Sequence, residues 1–301
     1  MLRRRFKSVF DAVVGALAIA TINIIHWFDR KRTANFSGAL MRKVGPMFKE
    51  HRLGREQLRA AFPEKSDAEI ETILTGVWDN LGRVSVEFAH LDDFGVEGFE
   101  PRKADQIIYD LETRARFDRV AKSGKATIAF AAHIANWELP GVAAKLTGLK
   151  TAALFRRPNI GALSDAVIKL RQPLMGELVA TSFDAPLKLA RMLEAGIHVG
   201  MLADQHYTKG VEVTFFGRRC LANPLVAQLA RQTECPIHGI RLVRQPDGNS
   251  FWGEFTEAID PVRDADGRIA IAGTTQTITS VIEGWVREHP EQWLWLHRRW
   301  R

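Results

Sequence analysis

Residues 126–138 read ATIAFAAHIANWE, an apolar run that leads into a histidine, with a glutamate five residues later. A short apolar run of this kind favours a buried strand, and the proline two residues after Glu138 is typical of the first turn of a helix. His133 would then lie where the chain turns. This corner can fold the Glu138 carboxylate back onto the imidazole, so the stretch predicts a general base with an orienting partner.

Apolar and amphipathic runs alternate on both sides of this stretch, which predicts an α/β fold with a mixed central sheet flanked by helices. Catalytic residues should then gather at strand ends. Ser66 and Glu69 predict a capping box. No internal linker is evident, so residues 33–301 are predicted to be one domain. The expected strands are 126–131, 151–155, 197–203, 211–216, 237–243 and 251–258, and the expected helices are 55–61, 66–88, 103–123, 138–147, 161–171, 184–195, 223–233 and 274–288.

Composition excludes several classes of protein. With 301 residues, of which 46% are apolar and 26% charged, the chain can bury a large core and is not predicted to be disordered. Cys220 and Cys235 are too few for a disulfide framework, and the sequence contains no CxxC motif or Cys/His cluster. We therefore expect inert thiols, no metal and a reducing compartment.

The net charge of +7 is concentrated at the N-terminus. Residues 1–32 contain seven Lys or Arg residues against two Asp residues, so they carry five of the seven charges. The remainder is near neutral and has no basic recognition helix or RNA-binding aromatic signature. Nucleic acid is therefore not expected as a partner.

Between the N-terminal basic clusters, residues 12–28 form a mostly apolar run. As a helix it would be about 26 Å long, slightly shorter than a ~30 Å hydrocarbon core, so it would either cross a membrane or lie flat on it. The His26-Trp27-Phe28 that ends the run does not resemble a cleavage site, and Trp27 suits a membrane interface. Residues 1–32 are therefore interpreted as an N-terminal membrane anchor, the alternative being a buried helix of the domain.

Four separated stretches together resemble one family. They are residues 133–138 (HIANWE), 155–159 (FRRPN), 202–207 (LADQHY) with FFG at 215–217, and 290–300 (PEQWLWLHRRW). The chain resembles, over nearly its whole length, the late acyltransferases of lipid A biosynthesis, of lauroyl or myristoyl type, in the lysophospholipid acyltransferase superfamily. The resemblance implies an enzyme of lipopolysaccharide biosynthesis in the cell inner membrane, with its catalytic domain facing the cytoplasm. Such enzymes move an acyl chain from acyl carrier protein onto a hydroxyacyl chain of Kdo-lipid IVA, without a cofactor.

The resemblance also implies roles for individual residues. His133 would be the catalytic base and Glu138 its orienting partner in the His-x4-Asp/Glu motif. Arg156 matches the arginine of an aromatic-Arg-x-x-Asn stretch that binds substrate, with Arg157 as a register alternative and Asn159 as its asparagine.

Asp204 matches the first aspartate of an Asp-His-Asp-Tyr-Gly-like stretch and is a further substrate-binding candidate. Here the chain departs from the family, because Gln205 replaces the histidine and His206 replaces the second aspartate. Asp204 could instead cap a turn, and His206 is interpreted as a satisfied polar residue and not a metal ligand. Arg298 and Arg299 are interpreted as contacts to the membrane surface.

The implied chemistry is direct attack of a lipid hydroxyl on a thioester, with His133 removing the proton. The oxyanion donor could be a backbone amide near Glu138 or the Arg156 side chain. A glycerophospholipid acyltransferase would share the base, but its usual Glu-Gly-Thr-Arg motif is missing from this sequence. A non-catalytic membrane-binding protein is the third alternative, and it would tolerate His133→Ala.

Overall fold

A computed structural model describes the chain at residues 2–97, 107–158 and 161–300. Ten α-helices lie within these residues, with short 3-10 helices at Gly45–Met47, Phe88–Asp93 and Pro290–Gln292. The helices are α1 (Leu2–Ile25), α2 (Arg30–Val44), α3 (Lys49–Ala61), α4 (Asp67–Glu87), α5 (Leu111–Ser123), α6 (Leu139–Leu146), α7 (Gly161–Met175), α8 (Ala185–Glu194), α9 (Leu225–Thr233) and α10 (Ile271–Glu288). The strands are β1 (Ile107–Tyr109), β2 (Ile128–Ala131), β3 (Thr151–Phe155), β4 (Glu177–Ala180), β5 (His198–Leu202), β6 (His206–Phe215), β7 (Arg218–Ala222), β8 (Ile237–Arg244) and β9 (Phe251–Phe255).

The central sheet is mixed, and its seven described strands lie in the order β1-β9-β8-β2-β5-β3-β4. Neighbouring strands are parallel except β8 and β9, which are antiparallel. Helices α6, α7 and α8 supply the crossovers that parallel strands require. In this order β2 is next to β5, with Ala131 opposite Leu202. The segments that follow these two strands therefore emerge side by side at one edge of the sheet.

The core packs most closely around β8, which is buried at every residue. Gly239 of this strand lies opposite Phe130 of β2, and a Cβ at Gly239 would come within 2.8 Å of the Trp285 ring. The missing side chain lets Trp285 of α10 stack on Phe130, with ring centroids 5.6 Å apart. This close approach fixes α10 against the strand that leads to His133.

A hairpin of β6 and β7 lies outside the central sheet. Its two-residue turn, Phe216 and Gly217, has positive φ at both positions (52° and 67°), as a type I′ turn requires. Phe215 packs edge-on against Trp293, and Phe216 against Trp295, at centroid distances of 5.6 and 5.8 Å. The hairpin thus holds the C-terminal segment, residues 290–300, beside the sheet.

The predicted fold class, a mixed sheet flanked by helices, is confirmed. The Ser66–Glu69 capping box is also confirmed, since each residue's side chain accepts a hydrogen bond from the other's backbone nitrogen. The sequence does not predict β4, β7 or α2.

The predicted helix over 103–123 is wrong at its start. Residues 107–109 form β1 and pair with β9, and α5 begins only after Asp110, whose side chain accepts from the Thr113 backbone nitrogen at 2.7 Å. Residues 103–106 of the prediction lie outside the described residues. Pairing with a strand about 140 residues away is a tertiary effect that local periodicity cannot show.

At the N-terminus, α1 covers most of the apolar segment 12–28. No helix in the described part of the chain is long and apolar enough to span a membrane, so the expected spanning anchor is not supported. α1 packs against α7, and its end is tied to the segment after α4. The His26 ring hydrogen-bonds to the Ala89 carbonyl at 2.9 Å, and the His90 ring to the Ile25 carbonyl at 3.1 Å.

Candidate active site

His133 lies two residues after β2, at a corner that is bonded to the C-terminal segment. Ile134 forms an antiparallel bridge with Trp293, and the Leu294 backbone nitrogen donates to the His133 carbonyl at 3.1 Å. Ala135 is buried and has a φ of 46°, in the left-handed region that costs a non-glycine residue about 1–3 kcal/mol. Its backbone nitrogen donates to the Gln292 carbonyl at 2.9 Å. The strained backbone at this corner is thus held by the C-terminal segment, which lies outside the β2–α6 loop.

Asp204 meets His133 because β5 lies next to β2. The His133 Nδ1 donates to Asp204 Oδ1 at 2.8 Å, and the His133 backbone nitrogen donates to Oδ2 at 2.9 Å. The Trp293 indole also donates to Oδ2, at 2.8 Å. A carboxylate can only accept, so the ring proton resides on Nδ1 and the Nε2 lone pair is left to act as a base.

The charge of Asp204 is stabilised by these contacts. Burial by itself would raise the pKa of this carboxyl, but the attraction of His133 and the hydrogen bonds from His133 and Trp293 outweigh it and lower the pKa to about 2. Asp204 is therefore ionised at neutral pH and can steady an imidazolium when His133 takes a proton.

The expected pairing of Glu138 with His133 is corrected by this geometry. Glu138 occupies the N-cap position of α6 without a side-chain capping hydrogen bond, and its carboxylate forms an ion pair with Arg171 of α7. Its backbone nitrogen donates to Asn136 Oδ1 at 3.1 Å. The physical reason is that the C-terminal segment pins the corner, so the chain turns Glu138 toward α7 while Asp204 already holds Nδ1.

A small, open cavity with a volume of about 10 Å³ lies beside the His133–Asp204 pair, and its remaining lining is Gln205, Trp293, Leu294, His297 and Arg299. The Gln205 amide nitrogen lies 3.2 Å from His133 Nε2 and donates to it. A substrate hydroxyl must displace this amide to reach the base. The cavity therefore brings together an oriented base, a displaceable donor and a buried cation.

The predicted substrate-binding arginines lie elsewhere. Arg156 and Arg157 follow β3, two strands from β2, and both are exposed. Neither is among the described residues that line the cavity. Asn159 lies outside the described residues. Substrate binding by these three residues stays a prediction.

A buried polar network beneath the corner was not predicted from the sequence. Glu87 of α4 is fully buried. Its carboxylate accepts hydrogen bonds from both terminal nitrogens of Arg244 and from the Asn136 amide, the last at 2.9 Å. The Arg244 Nε donates to Asn80 Oδ1 at 2.9 Å, and the Asn80 amide donates to the Ala135 carbonyl at 3.0 Å. The network connects α4 and β8 to the loop that carries His133.

Arg299 also differs from its interpretation as a membrane contact. It is 2% exposed and lines the cavity, whereas its neighbour Arg298 is exposed. Burial raises the pKa of the Cys220 thiol, which supports the prediction that this cysteine is inert. The described residues contain no group of three or more His, Cys, Asp or Glu side chains that could hold a metal ion.

The chain is similar to one known protein family over nearly its whole length. The model of the bacterial lipid A biosynthesis acyltransferase family matches residues 4–301. The chain belongs to this family. A comparison with curated proteins gives no match. The resemblance inferred from four sequence stretches is confirmed.

Proposed function

We propose that this acyltransferase moves a fatty acyl chain from acyl carrier protein to a hydroxyacyl chain of a lipid A precursor of the Kdo-lipid IVA type. The observation that carries the proposal is the Asp204-oriented His133 beside a small cavity. Family membership supports the acceptor class. The carrier-protein donor is supported by the resemblance of the four sequence stretches to the family.

The chemistry needs one base and two substrates. His133 Nε2 takes the proton of the lipid hydroxyl as its oxygen bonds to the thioester carbonyl carbon. The tetrahedral intermediate then collapses, the carbon–sulfur bond breaks, and the leaving thiolate takes the proton back from the imidazolium. The products are an ester and the free carrier thiol. Such a base contributes roughly 10²- to 10⁴-fold, and holding both substrates in place can supply more.

We place Glu138 in this scheme as a positioning residue. Its ion pair with Arg171 fixes the start of α6 against α7, five residues after the base. The Arg171 guanidinium also lies over the Phe88 ring at 5.3 Å. These contacts fix the α6 end of the loop that carries His133. The C-terminal segment fixes the other end of the loop, at residues 133–135.

The proposed location is the cytoplasmic face of the inner membrane, with residues 1–32 contacting lipid and residues 33–301 forming the catalytic domain. Apolar side chains are exposed in this N-terminal region and just after it, with Trp27 at 80% and Phe36 at 68%. Lys31 and Arg32 lie between them, and each could add on the order of 1 kcal/mol of attraction to an anionic surface. These residues, in the turn after α1 and on α2, support contact of this part of the chain with the membrane interface.

The function is tested by incubating the purified protein with a panel of acyl-acyl carrier proteins and either Kdo-lipid IVA or a lysophospholipid. The mass of the lipid product is then measured. We expect the mass of one acyl chain to be added to Kdo-lipid IVA and nothing to be added to the lysophospholipid. Acylation of the lysophospholipid alone would show a glycerophospholipid acyltransferase, and acylation of neither would reject the proposed reaction.

A further inference from the structure

We infer that Arg299 is the donor that binds the oxyanion formed at the thioester carbonyl. The inference rests on the proposed acyl transfer and adds a catalytic residue to it. Arg299 lines the same small cavity as His133, so the cation and the base border the space in which we place the attacked carbonyl.

The Arg299 side chain is rigidly held. Its backbone nitrogen donates to Gln57 Oε1 at 2.7 Å, and its Nη1 donates to the Leu221 carbonyl at 2.7 Å. The guanidinium carbon lies 5.2 Å from the centre of the Phe215 ring. A donor fixed before substrate arrives requires no reorganisation when the oxyanion forms, which is the condition for strong electrostatic catalysis.

The guanidinium has hydrogen-bonding capacity left over. Its Nε is buried and has no hydrogen-bond partner among the described residues, and no carboxylate there forms an ion pair with it. Asp204 is near enough to attract the charge, but its oxygens already accept from His133 and Trp293. By contrast, the buried Arg244 is paired with Glu87.

A buried cation without an ion-paired counter-charge is costly, and an anion that forms beside it recovers part of that cost. Burial lowers the pKa of the Arg299 guanidinium, with Cys220 and Asp204 acting in the opposite direction. An arginine nevertheless stays protonated in proteins. The charge is therefore present at the moment when the tetrahedral intermediate needs it.

The two other donors considered for the oxyanion fit less well. The Glu138 backbone nitrogen is already bonded to Asn136 Oδ1, and the Leu139 backbone nitrogen to the Asn136 carbonyl. Arg156 is exposed and is not among the described residues that line the cavity. Arg299 is the cation that the cavity itself presents.

The test compares Arg299→Gln and Arg299→Lys with Arg298→Gln, a matched control at the exposed neighbouring arginine. Steady-state acyl transfer is measured for each variant together with its thermal unfolding. We expect kcat to fall roughly 10²- to 10³-fold in Arg299→Gln, with KM for both substrates nearly unchanged. Arg298→Gln should behave as wild type. Because lysine keeps the charge but not the fork of donors, Arg299→Lys should lose about tenfold.

Three outcomes overturn the inference. One is wild-type kcat in Arg299→Gln, and the second is a raised KM for the lipid acceptor with kcat unchanged, which would mean that Arg299 binds a ground-state phosphate. If Arg299→Gln fails to fold, the test rests on Arg299→Lys. The third outcome is then an Arg299→Lys variant with wild-type kcat and an unchanged Tm. If wild-type protein itself transfers no acyl group, the proposed function has failed instead.

Discussion

Asp204 holds His133 by two atoms at once, the ring Nδ1 and the backbone nitrogen. In Asp204→Asn an amide can present its NH₂ to the ring and favour the wrong tautomer. We expect kcat to fall on the order of 10²- to 10⁴-fold with little change in KM. The exposed Asp184→Asn is the control and should retain full activity. Asp204→Asn with activity within about twofold of wild type would show that the carboxylate does not orient the base.

The same carboxylate makes stability depend on pH. The pKa of Asp204 is about 2 in the folded protein, below the ~3.9 of an unfolded chain, so its charge stabilises the fold above about pH 4. That contribution is lost as the pH falls from about 4 toward 2. Urea unfolding should therefore show wild type losing its stability advantage over Asp204→Asn across this range. An advantage that stays constant from pH 5 to pH 3 would contradict the assignment.

At the scale of elements, α4 and β8 meet through the buried Glu87–Arg244 pair. In Glu87→Gln the Arg244 charge stays buried without a counter-charge, so we expect a loss of about 3–5 kcal/mol in the free energy of unfolding. Activity should fall as well, because Asn136 and Asn80 lose their place in the network. Glu112→Gln, which removes an exposed partner of Arg116, should cost about 0–1 kcal/mol.

Chemical denaturation checks both values. A double variant, Glu87→Met with Arg244→Met, should recover part of the stability lost in Glu87→Gln, because the Arg244 charge is then no longer left buried without its ion-pair partner. Equal stability of Glu87→Gln and Glu112→Gln would show that the network does not hold the corner.

Most helices and strands follow from the sequence because their apolar spacing is a local property. The partner of His133 does not, since Asp204 lies 71 residues away and meets the ring only when β5 pairs with β2. The five-residue spacing from His133 favours Glu138 as the partner of the ring. The strained backbone at Ala135 instead turns Glu138 toward α7. Arg299 could not be told from Arg298 either, because only tertiary packing buries one and exposes the other.

At the scale of the whole molecule, the N-terminal region carries both basic and exposed apolar residues. The variant Trp27→Ser with Phe36→Ser should bind vesicles of anionic phospholipid roughly tenfold more weakly, because each aromatic contributes apolar area to the interface. Phe183→Ser, at a fully exposed phenylalanine before α8, is the control and should bind as wild type. Equal sedimentation of all three proteins with vesicles would contradict the proposed membrane surface.

The central claim is that His133, oriented by Asp204, removes the proton from the lipid hydroxyl. It is tested most directly by the single-turnover rate of acyl transfer from acyl-acyl carrier protein to Kdo-lipid IVA in wild type and in His133→Ala. We predict a rate lowered roughly 10²- to 10⁴-fold in a variant that unfolds at the wild-type temperature. Transfer by His133→Ala at the wild-type rate would contradict the account.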